Sequence, residues 1–153
     1  MQYAYFWQIT IDMKTIFPYL LCFLLAGCSS DDQINNCNFL LNVGVNASLN
    51  LNLPQYSQLR FASNAVYVPN QGNLGVIVVN TGLDRFRAWD AADPNHPPTS
   101  CSLLEIEGIE AQCGCDDENL YSLITGQSLN TQLPCGLREY RVSVSGSTIL
   151  VTN

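Results

Sequence analysis

Between Leu41 and Leu53 the chain alternates strictly: Leu41, Val43, Val45, Ala47, Leu49, Leu51 and Leu53 occupy the odd positions, with only Asn, Gly or Ser between them. Successive side chains of a strand point to opposite faces, so the run predicts a strand with one buried face. Pro54 closes it, because a proline ring removes a ladder donor. Three shorter strands are expected at Ala65–Val68, Leu74–Val79 and Phe86–Trp89, divided by Pro69-Asn70-Gln71-Gly72 and Asn80-Thr81-Gly82. Two hairpins follow. Residues 103–106 and 109–112 flank Glu107-Gly108, and residues 140–144 and 148–151 flank Ser145-Gly146-Ser147. Nothing shows sustained helical periodicity, so the expected fold class is all-β, a small antiparallel barrel or sandwich.

Charge removes one class of partner. Thirteen acidic residues outnumber six basic ones, the net charge is -7, and no lysine follows Lys14. Such a surface offers nothing to a phosphate backbone, and nucleic acid is excluded as a partner.

The N-terminal region carries addressing information. From Met13 a basic residue, Lys14, precedes the apolar run Thr15–Gly27 and then Cys28. This is the layout of an export signal, and the run is shorter than the about 20 residues a membrane-spanning helix needs. Leu25-Ala26-Gly27-Cys28 resembles the bacterial lipobox, which implies cleavage before Cys28 and acylation of that cysteine. Residues 1–12 read as an over-extended start. Residues 28–40, beginning Cys28-Ser29-Ser30-Asp31-Asp32, read as a lipidated cysteine and a flexible acidic linker. The folded domain is expected over 41–153. Localisation follows as the cell envelope, with the chain anchored by lipid to a membrane, expected to be the outer membrane, and facing the periplasm or the surface.

Two segments break the strand rhythm, 89–101 and 113–126, and both carry cysteine: Trp89-Asp90-Ala91-Ala92-Asp93-Pro94-Asn95-His96 leads to Cys101, and Cys113-Gly114-Cys115-Asp116-Asp117-Glu118 leads to Thr125-Gly126. In order and spacing they resemble the two cluster-binding loops of the Rieske iron–sulfur family. The resemblance covers roughly residues 64 to 151, including Phe86–Asp90 before the first loop and Leu137–Val151 after the second. It implies a Rieske-like β domain and, in the intact family, a [2Fe–2S] cluster held by Cys-x-His and Cys-x-x-His. Here the slots fall on Asp93 and Asn95, and on Cys113 and Asp116. Only Cys113 keeps the family's donor, and His96, the single histidine of the chain, lies one residue beyond its slot. A Rieske centre takes two thiolates on one iron and two imidazoles on the other. The expected cofactor is therefore none, with [2Fe–2S] as the alternative. The resemblance also implies a disulfide clamping the two loops, at Cys101 and Cys115. Cys113 then bonds Cys135 or Cys37, or one of these three stays a buried thiol.

Catalytic signatures are missing from the sequence: there is no Gly-x-Ser-x-Gly elbow, no phosphate loop and no paired metal-ligand spacing. Asp116, Asp117, Glu118 and Asp93 offer oxygen donors for calcium, or simply a solvated loop. Tyr67, Phe86, Trp89, Tyr121 and Tyr140 read as core. The expected function is thus an envelope lipoprotein, not an enzyme, whose domain binds or supports an envelope protein partner. Its alternatives are one-electron transfer through a [2Fe–2S] centre using Cys113 and His96, and thiol–disulfide chemistry at Cys113-Gly114-Cys115.

Overall fold

The computed structural model describes residues 37–153. The signal segment 1–27, Cys28 and the linker as far as residue 36 lie outside the described residues. Nine strands and one short 3-10 helix follow one another in the order β1 (Asn46–Asn50), the helix Pro54–Arg60, β2 (Ala65–Val68), β3 (Val76–Gly82), β4 (Arg85–Asp90), β5 (Leu104–Glu107), β6 (Glu110–Cys113), β7 (Leu120–Ser122), β8 (Glu139–Ser145) and β9 (Thr148–Thr152). The domain is all-β. Every pairing is antiparallel, in a six-stranded sheet ordered β1-β9-β8-β4-β3-β2 and a three-stranded sheet ordered β5-β6-β7. Among the described residues no helix is long and apolar enough to cross a membrane.

β3 explains how the two sheets share a core. Val76, Ile77, Val78 and Val79 are all fully buried, which one-sided alternation does not permit. Val76 and Val78 face a first core with Ala47, Leu49, Val66, Val68, Ile149 and Val151; Ile77 and Val79 face a second with Trp89, Leu104, Ala111, Tyr121 and Leu123. A strand covered on both faces reads as a continuous apolar run, as Val76–Val79 does. The small sheet thereby packs on the back of β3 and β4 and carries the two cysteine loops.

The long alternating run is corrected at both ends. β1 covers only Asn46–Asn50, and the buried odd positions are Val45, Ala47, Leu49 and Leu51. Leu41 is 67% exposed, and Val43 and Leu53 are exposed as well. β1 pairs on one side only, with the five residues of β9, so its partner's length sets its own. Before Val45 side chains hold the backbone instead: the Leu41 N–H donates to Asn73 Oδ1, the Val45 N–H to Asn153 Oδ1, and Arg138 to the Leu40 and Leu41 carbonyls. The strand ends at Asn50, short of Pro54, which instead opens the 3-10 helix at its first turn, where a missing N–H costs nothing. That helix and β7 have no counterpart in the sequence pattern.

The expected linker overlaps the packed domain at its last residues. Cys37 is disulfide-bonded to Cys135 over a separation of 98 residues, and Leu40 is buried. Of the five aromatics read as core, Trp89, Tyr121 and Tyr140 are buried and Phe86 packs partly on the first core. Tyr67 is exposed, and its hydroxyl donates to the Leu74 carbonyl.

Candidate functional site

The first loop leaves β4 at Asp90 and returns to β5 at Leu104. A bridge between Ala92 and Leu103 and the Asp93 N–H to Ser102 carbonyl bond close its neck. Inside, the Ser102 hydroxyl faces the carbonyls of Pro97 and Thr99 and accepts from the Thr99 N–H. The second loop runs from Cys113 to Leu120, closed by the Cys113 N–H to Asn119 carbonyl bond.

Asp93 sits between the loops with no exposure to solvent. Its Oδ1 accepts from the Tyr121 hydroxyl at 2.6 Å and from the Asn95 N–H at 2.8 Å, and its Oδ2 accepts from Asn119 Nδ2 at 3.0 Å. A buried carboxylate is tolerable only with such donors, because desolvation otherwise penalises it heavily. Asn95 extends the network to a third segment: its Nδ2 donates to the Tyr121 hydroxyl and the Cys135 carbonyl, and its Oδ1 accepts from the Cys135 N–H. Burial raises the Tyr121 pKa, and the neighbouring Asp93 raises it further.

His96 stands at the mouth of this network, partly exposed. Its Nε2 lies 2.7 Å from Asp117 Oδ2 and 3.8 Å from Asp93 Oδ2. Asn119 Nδ2 also donates to Asp117 Oδ2, at 2.7 Å, so Asn119 links one carboxylate of each loop. Asp116 is exposed on the second loop.

The cysteines fall into three roles. Cys101 and Cys115 are joined across the two loops, and Cys37 is joined to Cys135. Cys113 is the free thiol among the described residues, and it is buried. Burial pushes that thiol up to about 12, with Asp93 and Asp117 opposing the thiolate and a backbone bond from Cys115 favouring it. Cys113 Sγ, Cys115 Sγ and a ring nitrogen of His96 all lie within 4.8 Å of one another. Gly114 lets the second loop pass close to the first, since a Cβ there stands 3.0 Å from the Cys101 carbonyl oxygen.

A second buried carboxylate supports the loops from β4. Asp90 is fully buried; its Oδ2 accepts from the Tyr140 hydroxyl at 2.5 Å and from the backbone and side chain of Asn73, and its Oδ1 accepts from the Ala92 N–H. Above it, Trp89 donates from Nε1 to the Leu123 carbonyl at 2.8 Å, and the Arg87 guanidinium lies 4.4 Å from the Trp89 ring. Arg87 also forms a two-pronged ion pair with Glu139 and donates to the Ile124 carbonyl.

The structure thus gathers Asp93, Asn95, His96, Cys101, Cys113 and Cys115 at one place and leaves Asp116 facing solvent. Sequence reasoning missed Asn119, Tyr121 and Asp90 as members of the polar network. A tyrosine at a strand position in an apolar stretch carries one signal of this kind, since its hydroxyl needs a partner once the ring is buried.

No protein-family model and no curated protein sequence matches the chain. Among solved structures, it is similar to a chain of the complex of reduced oxygenase and oxidised ferredoxin in carbazole 1,9a-dioxygenase, at 15% identity and a TM-score of 0.48, covering 73% of this chain and 94% of that one. It is similar to the ferredoxin of carbazole 1,9a-dioxygenase from Nocardioides aromaticivorans IC177 at 25% identity and a TM-score of 0.41, covering 62% and 88%. A nitrite reductase NADPH small-subunit oxidoreductase protein is also similar, at 18% identity and a TM-score of 0.40, covering 69% and 97%.

Proposed function

We propose that this chain is a lipid-anchored protein of the cell envelope whose Rieske-like β domain acts without a cluster, as a binding or structural module for an envelope partner. The observation that carries this reading is the buried network around Asp93. At the four slots stand a carboxylate with hydrogen bonds on both oxygens, an amide bonded to Tyr121 and Cys135, a buried thiol, and an exposed carboxylate. A Rieske centre takes soft thiolates and two imidazoles, and this donor set does not fit it. The loops are instead held by the Cys101–Cys115 disulfide and by Asn119 between Asp93 and Asp117. The anchor rests on Leu25-Ala26-Gly27-Cys28. No catalytic role is assigned.

Protein produced without oxygen alongside a cluster-assembly system, then reduced with dithionite, is expected to be colourless and silent in electron paramagnetic resonance. Radiolabelled fatty acid is expected to enter the parent protein and not Cys28→Ala.

A second reading keeps electron transfer through a [2Fe–2S] centre. What favours it is the nearness of His96 and Cys113, two of the ligands it needs, within 4.8 Å, the remaining ligands being recruited from elsewhere. A paramagnetic signal in the reduced protein, lost in Cys113→Ser, supports this reading over the first.

A further inference from the structure

Two sulfur atoms and one imidazole meet where the loops face each other. Cys113 Sγ, Cys115 Sγ and a His96 ring nitrogen lie within 4.8 Å of one another, and Asp117, 2.7 Å from His96 Nε2, fixes the ring. Donors on one tetrahedral zinc ion stand about 3.5 Å apart, given Zn–S near 2.3 Å and Zn–N near 2.0 Å. The group needs to contract by roughly 1 Å, which small side-chain rotations supply. A cleft of about 280 Å³, lined by Glu105, Asp116 and Glu118 as well as Cys113 and Cys115, gives a cation an acidic entrance. One bond stands against such a site: Cys115 Sγ is tied to Cys101 Sγ, and metal ligation needs a thiolate.

We infer that opening the Cys101–Cys115 disulfide creates a mononuclear site for a thiophilic divalent cation of the zinc class, held by Cys113, Cys115 and His96. Two sulfurs and an imidazole select such an ion over calcium or magnesium, and water takes the fourth position. The site goes beyond the proposed function: it uses Cys115, needs no sulfide, and exists only in the reduced form.

The step balances with a dithiol as reductant. Cys101 is exposed and Cys115 only half-buried, so a thiolate of the dithiol attacks Cys101 Sγ. The Cys101–Cys115 bond breaks, a mixed disulfide forms on Cys101, and the electron pair leaves on Cys115 Sγ. The second thiol of the reductant then displaces Cys101, so that two protein thiols form while the dithiol becomes a disulfide. Cation binding releases the Cys113 and Cys115 protons to solvent.

Cobalt(II) is the probe, because its thiolate complexes absorb in the near ultraviolet. In the full chain, Cys101→Ser frees Cys115 without any reductant and leaves Cys37–Cys135 intact. This variant is expected to bind one cobalt with a thiolate-to-cobalt band that zinc abolishes, while the unreduced parent gives no band. Adding Cys113→Ala or His96→Ala to it is expected to weaken cobalt binding at least tenfold. A folded Cys101→Ser protein with two titratable thiols and no band overturns the inference, as does a band that survives Cys113→Ala. If Cys101→Ser does not fold, parent protein reduced at Cys101–Cys115 alone, verified by mass spectrometry, is titrated instead and judged by the same band. Iron and sulfide content reads the proposed function separately.

Discussion

Tyr121 donates its hydroxyl hydrogen to Asp93 Oδ1 across 2.6 Å, and neither side chain meets solvent. The pair joins β7 to the first loop, and Asn95 carries the same hydroxyl on to the segment around Cys135. Replacing Tyr121 by Phe removes one donor from a buried carboxylate and one acceptor from Asn95. The expected loss is about 1–3 kcal/mol in denaturant unfolding. Asp93→Asn is also expected to destabilise, because turning its amide to accept from Tyr121 sets its NH2 against Asn119 Nδ2.

The two disulfides are expected to differ in worth. Cys101–Cys115 spans 14 residues and Cys37–Cys135 spans 98. On the chain-entropy account, closing loops of these lengths contributes about 3 and about 4.7 kcal/mol. Paired Cys→Ala replacement, read by the shift in urea midpoint, is expected to cost more at Cys37 and Cys135 than at Cys101 and Cys115. Equal losses contradict the entropic account.

Two tyrosines and the Cys113 thiol set the response to alkali. Burial raises the pKa of both Tyr121 and Tyr140 above the ordinary 10.0, and the bonded carboxylates Asp93 and Asp90 raise it further. A group with a raised folded pKa contributes stability in full below its unfolded pKa and loses it at higher pH. Stability is therefore expected to begin falling at about pH 9, where the Cys113 thiol, held up to about 12 in the fold, starts to oppose folding, and to fall more steeply beyond about pH 10, where the two tyrosines add to it. Absorbance at the phenolate wavelength is expected to show these two tyrosines ionising only with unfolding, and Tyr140→Phe to remove one late-titrating group. Early ionisation of both contradicts the geometry.

Gly126 carries a different constraint. Its φ is +76°, and a Cβ there stands 2.6 Å from the Trp89 ring. Gly126→Ala is expected to cost about 2–4 kcal/mol through backbone strain and overpacking, and to shift Trp89 fluorescence. An unchanged spectrum and midpoint sink this assignment.

Most strands were legible because their physics is local. Ala65–Val68 matches β2 residue for residue, and Gly146 lies in the turn between β8 and β9 with φ +57°. The β5–β6 turn lies at Gly108-Ile109, one residue beyond the expected Glu107-Gly108, with Gly108 at φ +67°. Alternation alone overextended β1, since the pattern of residues 41–53 contains nothing about the five-residue length of β9. The site was legible only through likeness to a family. The resemblance to the Rieske loops singled out Asp93, Asn95, Cys113 and Asp116, whereas Asn119 and Tyr121 gain their roles only when two distant loops close on each other. Asp116 and Asp117 are neighbours of one charge, and only the fold makes Asp117 the partner of His96.

The proposed domain, held by hydrogen bonds and disulfides in place of a cluster, is tested by a composition that can be counted directly. Iron and acid-labile sulfide are measured on protein made without oxygen under conditions that permit cluster assembly, alongside its absorption spectrum and proof of folding. The account predicts a folded protein without iron or sulfide and without visible bands. Near-stoichiometric iron and sulfide contradicts it.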